Sequence, residues 1–427
     1  MGEEVEDQME ILKKIKEIKW DPVLTAAWGL AFLSAFLVHP GKAYLGYIDW
    51  RSLGILWSLM VVIQGLRGNG VFDRIGEGVL SRVHKGWQLA AVQVFLCFFG
   101  SMLITNDVAL ITFVPFAILI LKNCGREDLM IPVILLQTIG ANLGSMLTPI
   151  GNPQNLYLYG LADMQMGEFV LEMLPYAGAS AVLILCSLLF LPGKTQEVAV
   201  VAAGAGPDSA TETAGTHGME GAAGMAGAHG VERASEAERT SAAGDRRQIL
   251  IYAALFVAAI LTVLRVVPWY VLVLLVFAVV LALDRRVLGR ADYLLLFTFV
   301  GFFIFTGNMG RSPMVRDVLQ RLVQGRELPV AILASQCISN VPAALLLSGF
   351  TENVDALLLG VNIGGLGTLI ASMASLISYK AYTNVYREQK GKYLAAFTVV
   401  NLLFLAALIG VYLVGHAGIW RSFNGIV

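Results

Sequence analysis

Charged side chains are scarce in this sequence of 427 residues. Asp, Glu, Lys and Arg together make up 14% of it, whereas hydrophobic residues make up 57%, and the mean hydropathy is +0.70. A soluble domain keeps roughly a quarter of its residues charged, so we expect most of this surface to face lipid. The composition predicts an all-α polytopic membrane protein, because helices satisfy their own backbone hydrogen bonds in a bilayer.

The sequence also lacks a basic excess and any close pair of cysteines. Its net charge is −1, which does not favour nucleic acid as a partner. The first twenty residues are charged throughout and lack an apolar core, so they do not resemble a cleavable signal peptide. The cysteines are widely separated, so neither a disulfide nor a zinc site is expected; they are Cys97, Cys124, Cys186 and Cys337.

Known catalytic and nucleotide-binding motifs are absent as well. No His-Glu-x-x-His, Gly-x-Ser-x-Gly or paired intramembrane Asp motif occurs, which disfavours an intramembrane enzyme. The absence of a Walker loop disfavours an ATP-driven pump. We therefore expect no catalytic residue and no organic cofactor.

Long apolar runs dominate the rest of the sequence. A helix needs about 20 residues to cross a bilayer, with roughly 17 as the lower limit. This criterion predicts about nine full spans. They are approximately Pro22–Val38, Trp50–Gly65, Leu129–Tyr159, Phe169–Leu191, Ile249–Val266, Trp269–Leu283, Tyr293–Gly307, Asp355–Ser378 and Tyr393–Val414.

Two further apolar stretches are interrupted by polar residues. Residues 87–121 contain Thr105-Asn106-Asp107, and residues 328–350 contain Ser339-Asn340-Val341-Pro342. The second stretch is too short to cross the membrane twice. We predict that both are re-entrant hairpins, which enter and leave on the same side. For the first stretch, two ordinary spans are the alternative.

A segment of different composition divides the sequence. Residues 192–247 are rich in Gly and Ala without apolar periodicity, which predicts a disordered linker. The linker separates a first transmembrane repeat, residues 22–191, from a second, residues 248–427. Residues 1–21 are predicted to be a charged tail or an interfacial helix.

The two halves share an order of features. Asp49-Trp50 and Asp292-Tyr293 each open a span that ends in glycines. An amphipathic stretch, a hairpin with an Asn tip, a Gly-rich interrupted span and a final span follow in both halves. One additional helix, Ile249–Val266, reverses the direction of the second half. The pattern predicts two inverted repeats, each with a re-entrant hairpin and a broken helix.

Basic residues in the short loops predict the orientation. With the N-terminus and the linker in the cytoplasm, most of these Lys and Arg residues lie inside, as the positive-inside rule requires. One segment disagrees, because Arg311, Arg316, Arg321 and Arg326 would lie outside. The basic residues of the other loops are more numerous, so we keep this orientation.

The most informative stretch runs from Gly140 to Gly160, within a predicted span. Its prolines and glycines should break the helix near Thr148–Asn155. At such a break, freed carbonyls can coordinate a cation and a half-helix N-terminus can face an anion. A proline kink whose backbone groups are satisfied by polar side chains is the alternative. The candidate binding residues here are Asn142, Thr148, Asn152 and Asn155.

The corresponding stretch of the second half is Val361–Tyr379. It is rich in glycine but has no proline, so its break is predicted to be milder. Close packing of helices through small residues is the alternative. The candidate binding residues here are Asn362, Thr368 and Ser372.

The hairpin tips differ in charge. Asp107 is the one acid predicted deep within the membrane, where an ionisable group marks a functional site by default. It could hold a cation, carry a proton or cap the following helix. The second tip has no acid, so a proton or cation step is predicted to belong to the first half. The other candidate residues of the tips are Thr105, Asn106, Ser339 and Asn340.

The stretches Thr105–Leu110 and Gly144–Asn155 together resemble the citrate-transporter-like permeases. This superfamily includes arsenite efflux pumps, sodium–proton antiporters and divalent-anion/sodium symporters, and the sequence is most like bacterial inner-membrane anion permeases. The resemblance covers nearly the whole chain except the N-terminal tail and the linker. It implies a scaffold part and a transport part in each protomer, often paired as a homodimer. It also implies a substrate held between two hairpin tips and two helix breaks.

This resemblance implies a secondary active transporter of a small anion, a carboxylate or an inorganic oxyanion, coupled to H⁺ or Na⁺. An arsenite efflux permease and a Na⁺/H⁺ antiporter are the alternatives. In the sodium-coupled carboxylate branch each tip reads Ser-Asn-Thr. Here Asp107 and Val341 take the third position, so dicarboxylate specificity does not follow. Asn106, Asp107 and Asn152 form a candidate Na⁺ site.

Overall fold

The structure is a computed structural model that describes residues 22–80, 83, 85–192 and 246–415. Every regular element of these residues is a helix. The N-terminal tail and nearly all of the linker lie outside the described residues, so the predictions made for them stay predictions.

Nine α-helices are described on each side of the linker. The first nine are α1 (Pro22–Ala35), α2 (Ala43–Tyr47), α3 (Trp50–Gly68), α4 (Val71–Leu80), α5 (Gly86–Ile104), α6 (Asn106–Asn123), α7 (Met130–Gly144), α8 (Pro153–Leu161) and α9 (Met166–Leu188). The second nine are α10 (Arg246–Val263), α11 (Trp269–Leu288), α12 (Tyr293–Arg311), α13 (Pro313–Val323), α14 (Glu327–Ile338), α15 (Asn340–Leu347), α16 (Val354–Ile363), α17 (Met373–Val385) and α18 (Lys390–Val414).

The helices α3 and α12 begin in the same way. The Asp49 carboxylate accepts a hydrogen bond from the backbone N–H of Ser52 at 3.1 Å, and the Asp292 carboxylate accepts one from Leu295 at 3.0 Å. Aspartate is a preferred N-cap because its side chain satisfies an N–H group that has no partner within the helix. Both helices have 19 residues. The two Asp-aromatic pairs found in the sequence therefore mark equivalent helix starts.

The protein is a multi-pass membrane protein. The number of helices that are long and apolar enough to span a membrane is smaller than the nine spans expected from the sequence. Among the described residues, seven helices are long and apolar enough to cross a membrane, or eight if the bent pair α3 and α4 counts as one span. Three predicted spans fall short. Helix α1 has 14 residues, α11 leaves helical geometry at Asp284, and the predicted span Asp355–Ser378 is divided into α16 and α17.

The two hairpins differ in the length of their arms. In the second hairpin, α14 and α15 have 12 and 8 residues, which is too short for two crossings. In the first, α5 and α6 have 19 and 18 residues, and each reaches span length. Arm length therefore does not distinguish a re-entrant hairpin from two spans here. The observation in favour of a re-entrant hairpin is the buried Asn106 at its tip.

The two halves pack against each other through equivalent pairs of helices. Helix α1 lies against α12 of the second half, and α11 lies against α3 of the first. Likewise α17 lies against α6, and α8 lies against α15. A two-fold relation between the halves produces such reciprocal contacts. That the halves are inverted across the membrane stays a prediction.

Glycines bring each hairpin close to the helix that follows it. A Cβ at Gly144 would collide with the backbone carbonyl of Phe98 in α5. A Cβ at Gly364, next to the end of α16, would lie 3.0 Å from Cα of Ile332 in α14. Small residues at such crossings let two helix backbones approach closely. The same device therefore joins α5 to α7 and α14 to α16.

Gly144→Ala is expected to destabilise the fold. The two nearest atoms are backbone atoms of Phe98, so they cannot rotate away, and overpacking costs about 1–3 kcal/mol. Gly178→Ala in α9 is the matched control, since a Cβ there meets nothing within 4 Å and alanine favours a helix by up to about 1 kcal/mol. Thermal unfolding of the detergent-purified variants measures the difference. An unfolding midpoint for Gly144→Ala at or above that of Gly178→Ala would show that a methyl group fits at residue 144.

Candidate functional site

The two hairpin tips have the same backbone geometry. Thr105 and Ser339 have φ/ψ of 70°/150° and 73°/155°, which non-glycine residues rarely adopt. At each tip the next residue is an asparagine whose side-chain oxygen accepts a hydrogen bond from the following backbone N–H. The donor is Asp107 in the first tip, at 2.9 Å, and Val341 in the second, at 3.0 Å.

Asp107 does not cap its helix. It is the second residue of α6, and the local contact to backbone is made by Asn106. One carboxylate oxygen of Asp107 is buried and has no hydrogen-bond partner among the described residues. A buried polar atom without a protein partner is costly, and a bound proton, ion or water molecule would satisfy it. The capping alternative for Asp107 is therefore wrong.

The break predicted near Thr148–Asn155 is present. Helix α7 ends at Gly144, and α8 begins at Pro153. Thr148 and Asn152 between them are extended, and each precedes a proline. The Thr148 hydroxyl donates to the Met102 carbonyl of the first hairpin and accepts from Gly151 N–H at 3.1 Å. The Thr148 side chain thus provides a hydrogen-bond partner for a backbone N–H group that has none within a regular helix here.

The second break is as complete as the first, and the expectation of a milder break is wrong. Residues 364–372 between α16 and α17 form no regular helix. The Gln336 amide of α14 donates to the carbonyls of Gly364 at 2.8 Å and Leu366 at 2.9 Å, and it accepts from Thr368 N–H at 2.9 Å. Gly367 has φ +110°. The second break is therefore held by one side-chain amide and a glycine, whereas two prolines interrupt the helix in the first half.

Asn142 joins the first tip to the second break. Its side-chain oxygen accepts from the Asn106 amide at 3.1 Å and from the Ser372 hydroxyl at 3.0 Å. Its amide donates to the Ser375 hydroxyl at 3.5 Å. All four side chains are buried. The sequence separation between Asn142 and Ser372 is 230 residues, so the two halves complete this cluster together.

A second contact between the halves mirrors the first. The Asn362 amide donates to the Asn155 side-chain oxygen at 2.7 Å. The Asn155 amide in turn donates to the carbonyl of Ser145 at 3.1 Å. Asn362 lies at the end of α16 as Asn142 lies at the end of α7, and each contacts the start of the other half's broken helix.

The remaining predicted residues lie around these two contacts. The Asn152 amide donates to the Ser145 hydroxyl at 2.6 Å, and this hydroxyl donates to the Asn142 carbonyl at 2.9 Å. The backbone N–H of Asn340 donates to the Ala371 carbonyl at 3.0 Å. The Thr368 hydroxyl donates to the Gln336 carbonyl at 3.2 Å. The predicted residues therefore belong to one neighbourhood.

Four helix N-termini end at this neighbourhood, those of α6, α8, α15 and α17. The first N–H groups of a helix have no intrahelical partner, and the helix dipole places positive charge there. Three buried side-chain oxygens at the same place have no hydrogen-bond partner among the described residues, those of Asp107, Asn152 and Asn362. The Asn340 and Val341 N–H groups of α15 are already engaged and residue 342 is proline, so the helices that offer N–H groups to an anion are α6, α8 and α17. The three oxygens can bind a cation or a proton.

Sequence reasoning missed Gln336 and did not commit to Ser145 or Ser375. A direct signal exists in the alignment of residues 140–155 with residues 360–375. The two segments are identical at Gly140/Gly360, Asn142/Asn362, Gly144/Gly364, Thr148/Thr368 and Ile150/Ile370. The alignment pairs Asn155 with Ser375, and each of these contacts the asparagine near the end of the other half's preceding helix, Asn362 and Asn142 respectively.

Comparison with known proteins assigns the chain to a family. The family profile described as citrate transporter matches residues 13–356. The chain belongs to the citrate transporter family. The match ends before the second break, which agrees with the weaker motif of the second half.

Relatives of this citrate transporter family member are also membrane proteins. An uncharacterized transporter of Methanocaldococcus jannaschii is 28% identical over 89% of this chain and 94% of its own length. Inner membrane protein YbiR of Escherichia coli is 29% identical over 82% of this chain and 84% of its own. The silicon efflux transporter LSI3 of rice is 30% identical over 38% of this chain and 34% of its own. The protein is thus a membrane transporter.

The Asn155–Asn362 contact is expected to be energetically coupled. Asn155→Ala and Asn362→Ala should each lower the free energy of unfolding by about 1–3 kcal/mol, because each leaves a buried partner unpaired. The double variant should lose less than the sum, by about 1 kcal/mol. Denaturant unfolding in mixed micelles provides the measurement.

The control pair combines Asn155→Ala with Asn401→Ala. Asn401 is also a buried asparagine, and its amide contacts only the Phe397 carbonyl of its own helix among the described residues. The effects of this pair should add. Additive losses for Asn155 and Asn362 would mean that their hydrogen bond contributes nothing to stability.

Proposed function

We propose that this protein is a secondary active transporter that moves a small anion, a carboxylate or an inorganic oxyanion, across the plasma membrane in exchange for, or together with, H⁺ or Na⁺. One observation carries the proposal. Three helix N-termini with N–H groups to offer, those of α6, α8 and α17, lie beside a buried network that both halves of the chain complete, together with three buried oxygens that have no partner among the described residues.

The helix N-termini support an anion as the substrate. Anions bind favourably at helix N-termini because free N–H groups and the helix dipole act together. In transporters with broken helices, such half-helix ends face anionic groups of the substrate. No lysine or arginine side chain is needed for this recognition.

The unpartnered oxygens support an ion-coupled step. Asp107 supplies the carboxylate, which can bind a proton directly or contribute to a Na⁺ site. Asn106 and Asn152 complete the proposed Na⁺ set, and their hydrogen bonds are linked through Asn142 and Ser145. The position equivalent to Asp107 in the second tip is Val341. A proton or cation therefore has a charged ligand in one half only.

The comparisons name one carboxylate and one inorganic substrate. The family description names citrate, a carboxylate, and the rice relative exports silicon, an inorganic species. The partial match to an efflux transporter favours an efflux permease, such as one for arsenite, as the second candidate. A Na⁺/H⁺ antiporter fits less well, because Asp107 is the single acid among the proposed site residues.

The proposed location is a bacterial inner membrane, with the N-terminus and the linker in the cytoplasm. Basic loops support the orientation, and the Escherichia coli relative is named an inner membrane protein. A homodimer is proposed from the resemblance to the superfamily.

Flux measurements in proteoliposomes test the proposal. Labelled citrate, succinate, sulfate, phosphate and arsenite are offered under imposed H⁺ or Na⁺ gradients. At least one anion should accumulate above its equilibrium concentration, and an ionophore that dissipates the gradient should abolish the accumulation. Simple equilibration of every anion would contradict secondary active transport.

Asp107→Asn is expected to abolish gradient-driven accumulation. The variant keeps the size of the side chain but removes the charge that binds the coupling ion. Exchange of substrate for substrate should continue, because it needs no net ion movement. Asp73→Asn, which removes an exposed acid of α4, is the control and should accumulate substrate normally. Normal accumulation by Asp107→Asn with unchanged pH and Na⁺ dependence would exclude Asp107 as the coupling residue.

A protease site inserted at Gly224 in the linker reports the orientation. We expect cleavage only when protease is added to inside-out vesicles, because the linker is predicted to lie in the cytoplasm. A site inserted after Lys42, in the loop between α1 and α2, should show the opposite behaviour. Cleavage at Gly224 in intact spheroplasts would reverse the proposed topology.

A further inference from the structure

Two amphipathic helices, α4 and α13, contribute no residue to the network at the helix breaks. Helix α4 follows α3 after a bend of 60°, and α13 follows α12 after the extended residue Ser312. Each packs against the helix before it and against elements of the hairpin that follows it. The two helices therefore occupy equivalent places in the two halves.

The apolar face of α13 is wider than the part that the protein covers. Val323 is buried, and Val315 and Leu319 are partly buried against the core. Val318 and Leu322 are one turn apart on the adjacent edge, and each is 54% exposed. A helix turns by about 100° per residue, so the five side chains form one arc of about 140°. Protein covers one edge of this arc and leaves the other edge open.

Two arginines lie on opposite sides of the apolar arc. Arg316 is next to its covered edge and Arg321 is next to its open edge, while Asp317 lies on the far side of the helix. Both arginines are exposed, and no acid or acceptor in the described part of the chain pairs with either guanidinium. Arginine can lay its apolar stem along a hydrophobic surface while its charge stays in a polar layer.

Helix α4 has the same apolar layout but the opposite charge. Phe72 is buried, whereas Ile75 and Val79 on the adjacent edge are 48% and 41% exposed. The ten residues of α4 include one arginine and two acids, a net charge of −1, and the eleven residues of α13 include two arginines and one acid, a net charge of +1. Positive charge is therefore the property that distinguishes α13.

The level of α13 in the protein favours lipid as its partner. Helix α12 reaches span length and ends at Arg311, and α13 begins two residues later at Pro313. A helix that starts where a span ends lies at the level of the lipid headgroups. An amphipathic helix with basic residues beside an open apolar edge binds there through buried apolar area and through attraction to anionic lipids.

The same partner accounts for the arginines that disagree with the positive-inside rule. Arg311 packs against the Tyr47 ring, with its guanidinium 5.5 Å from the ring centroid. Arg316 and Arg321 have no such contact within the described residues. Phosphate oxygens match the planar donors of a guanidinium. A lipid phosphate thus gives these two charges a role at the outer surface, where the rule does not expect them.

We propose that α13 lies in the membrane interface and binds anionic phospholipids, with Val318 and Leu322 against the acyl chains and Arg316 and Arg321 on the headgroup phosphates. The proposal does not depend on which anion the protein moves. It requires that an anionic phospholipid binds more tightly than a zwitterionic one with the same chains, and that α13 is the source of this preference.

Native mass spectrometry of the full-length protein in detergent tests the preference. Phosphatidylglycerol and phosphatidylcholine with identical acyl chains are titrated separately. The double variant Arg316→Gln/Arg321→Gln should bind phosphatidylglycerol about five- to twentyfold more weakly, because one arginine near an anionic surface contributes a factor of about five. Its binding of phosphatidylcholine should stay unchanged. Asp317→Asn removes a negative charge and should tighten the binding of phosphatidylglycerol.

The control variant Arg387→Gln/Lys390→Gln removes two exposed positive charges at the start of α18. It should bind phosphatidylglycerol as the wild type does. An equal loss in this control would show that net charge alone governs lipid binding, and an unchanged affinity in the α13 variant would show that α13 binds no anionic lipid. Either result would overturn the proposal.

Nitroxide labels in nanodiscs test what covers the open edge. Val318→Cys and Asp317→Cys are labelled separately, after the accessible cysteines Cys124, Cys186 and Cys337 have been replaced by serine. The label at 318 should be reached by oxygen and shielded from a water-soluble nickel chelate, and the label at 317 should be reached by the chelate. A label at 318 that the chelate reaches would place the edge in water. A label at 318 that neither reagent reaches would show a protein cover, such as a second copy of the chain, and both results would refute lipid contact.

Discussion

In a bilayer, a helix that stops within the hydrocarbon region leaves backbone N–H and C=O groups that water cannot reach. Each such group costs several kcal/mol unless the protein supplies a partner. Two apolar helices of this chain end among buried residues, α7 at Gly144 and α16 at Ile363. The rest of the structure is arranged so that side chains from hairpins and from the opposite half supply the missing partners.

The partners are supplied reciprocally. Thr148 and Thr368 each reach the carbonyl of a residue three positions before a hairpin tip residue, Met102 and Gln336 respectively. Asn142 and Asn362 each contact the start of the other half's broken helix. Because each half completes the other, the site forms only when both halves are folded. The N-termini of α8 and α17, which lie at these contacts, are helix ends that can face an anion.

The sequence contained enough information for the fold class, the hairpin tips and the first break. Apolar run lengths are set by bilayer thickness, and Pro149 and Pro153 break a helix through local sterics. The second break was underestimated because its cause is not local. Gln336 lies 28 residues from Gly364, whose carbonyl it contacts, and no rule of helix propensity connects them.

The role of Asp107 and the number of spans were also beyond local rules. Whether an Asp near a helix start acts as its cap depends on the residue at which the helix begins, and here Asp107 is already the second residue of α6. The end of a span depends on where backbone leaves helical geometry, as at Asp284. Such features follow from tertiary packing.

An experimental structure of the protein in nanodiscs with its transported anion bound tests the central claim most directly. The account predicts the anion beside the N-termini of α6, α8 and α17, with the Asn142–Ser372 and Asn155–Asn362 contacts intact around it. An anion bound away from these helix ends, or halves that do not meet at the two contacts, would contradict it.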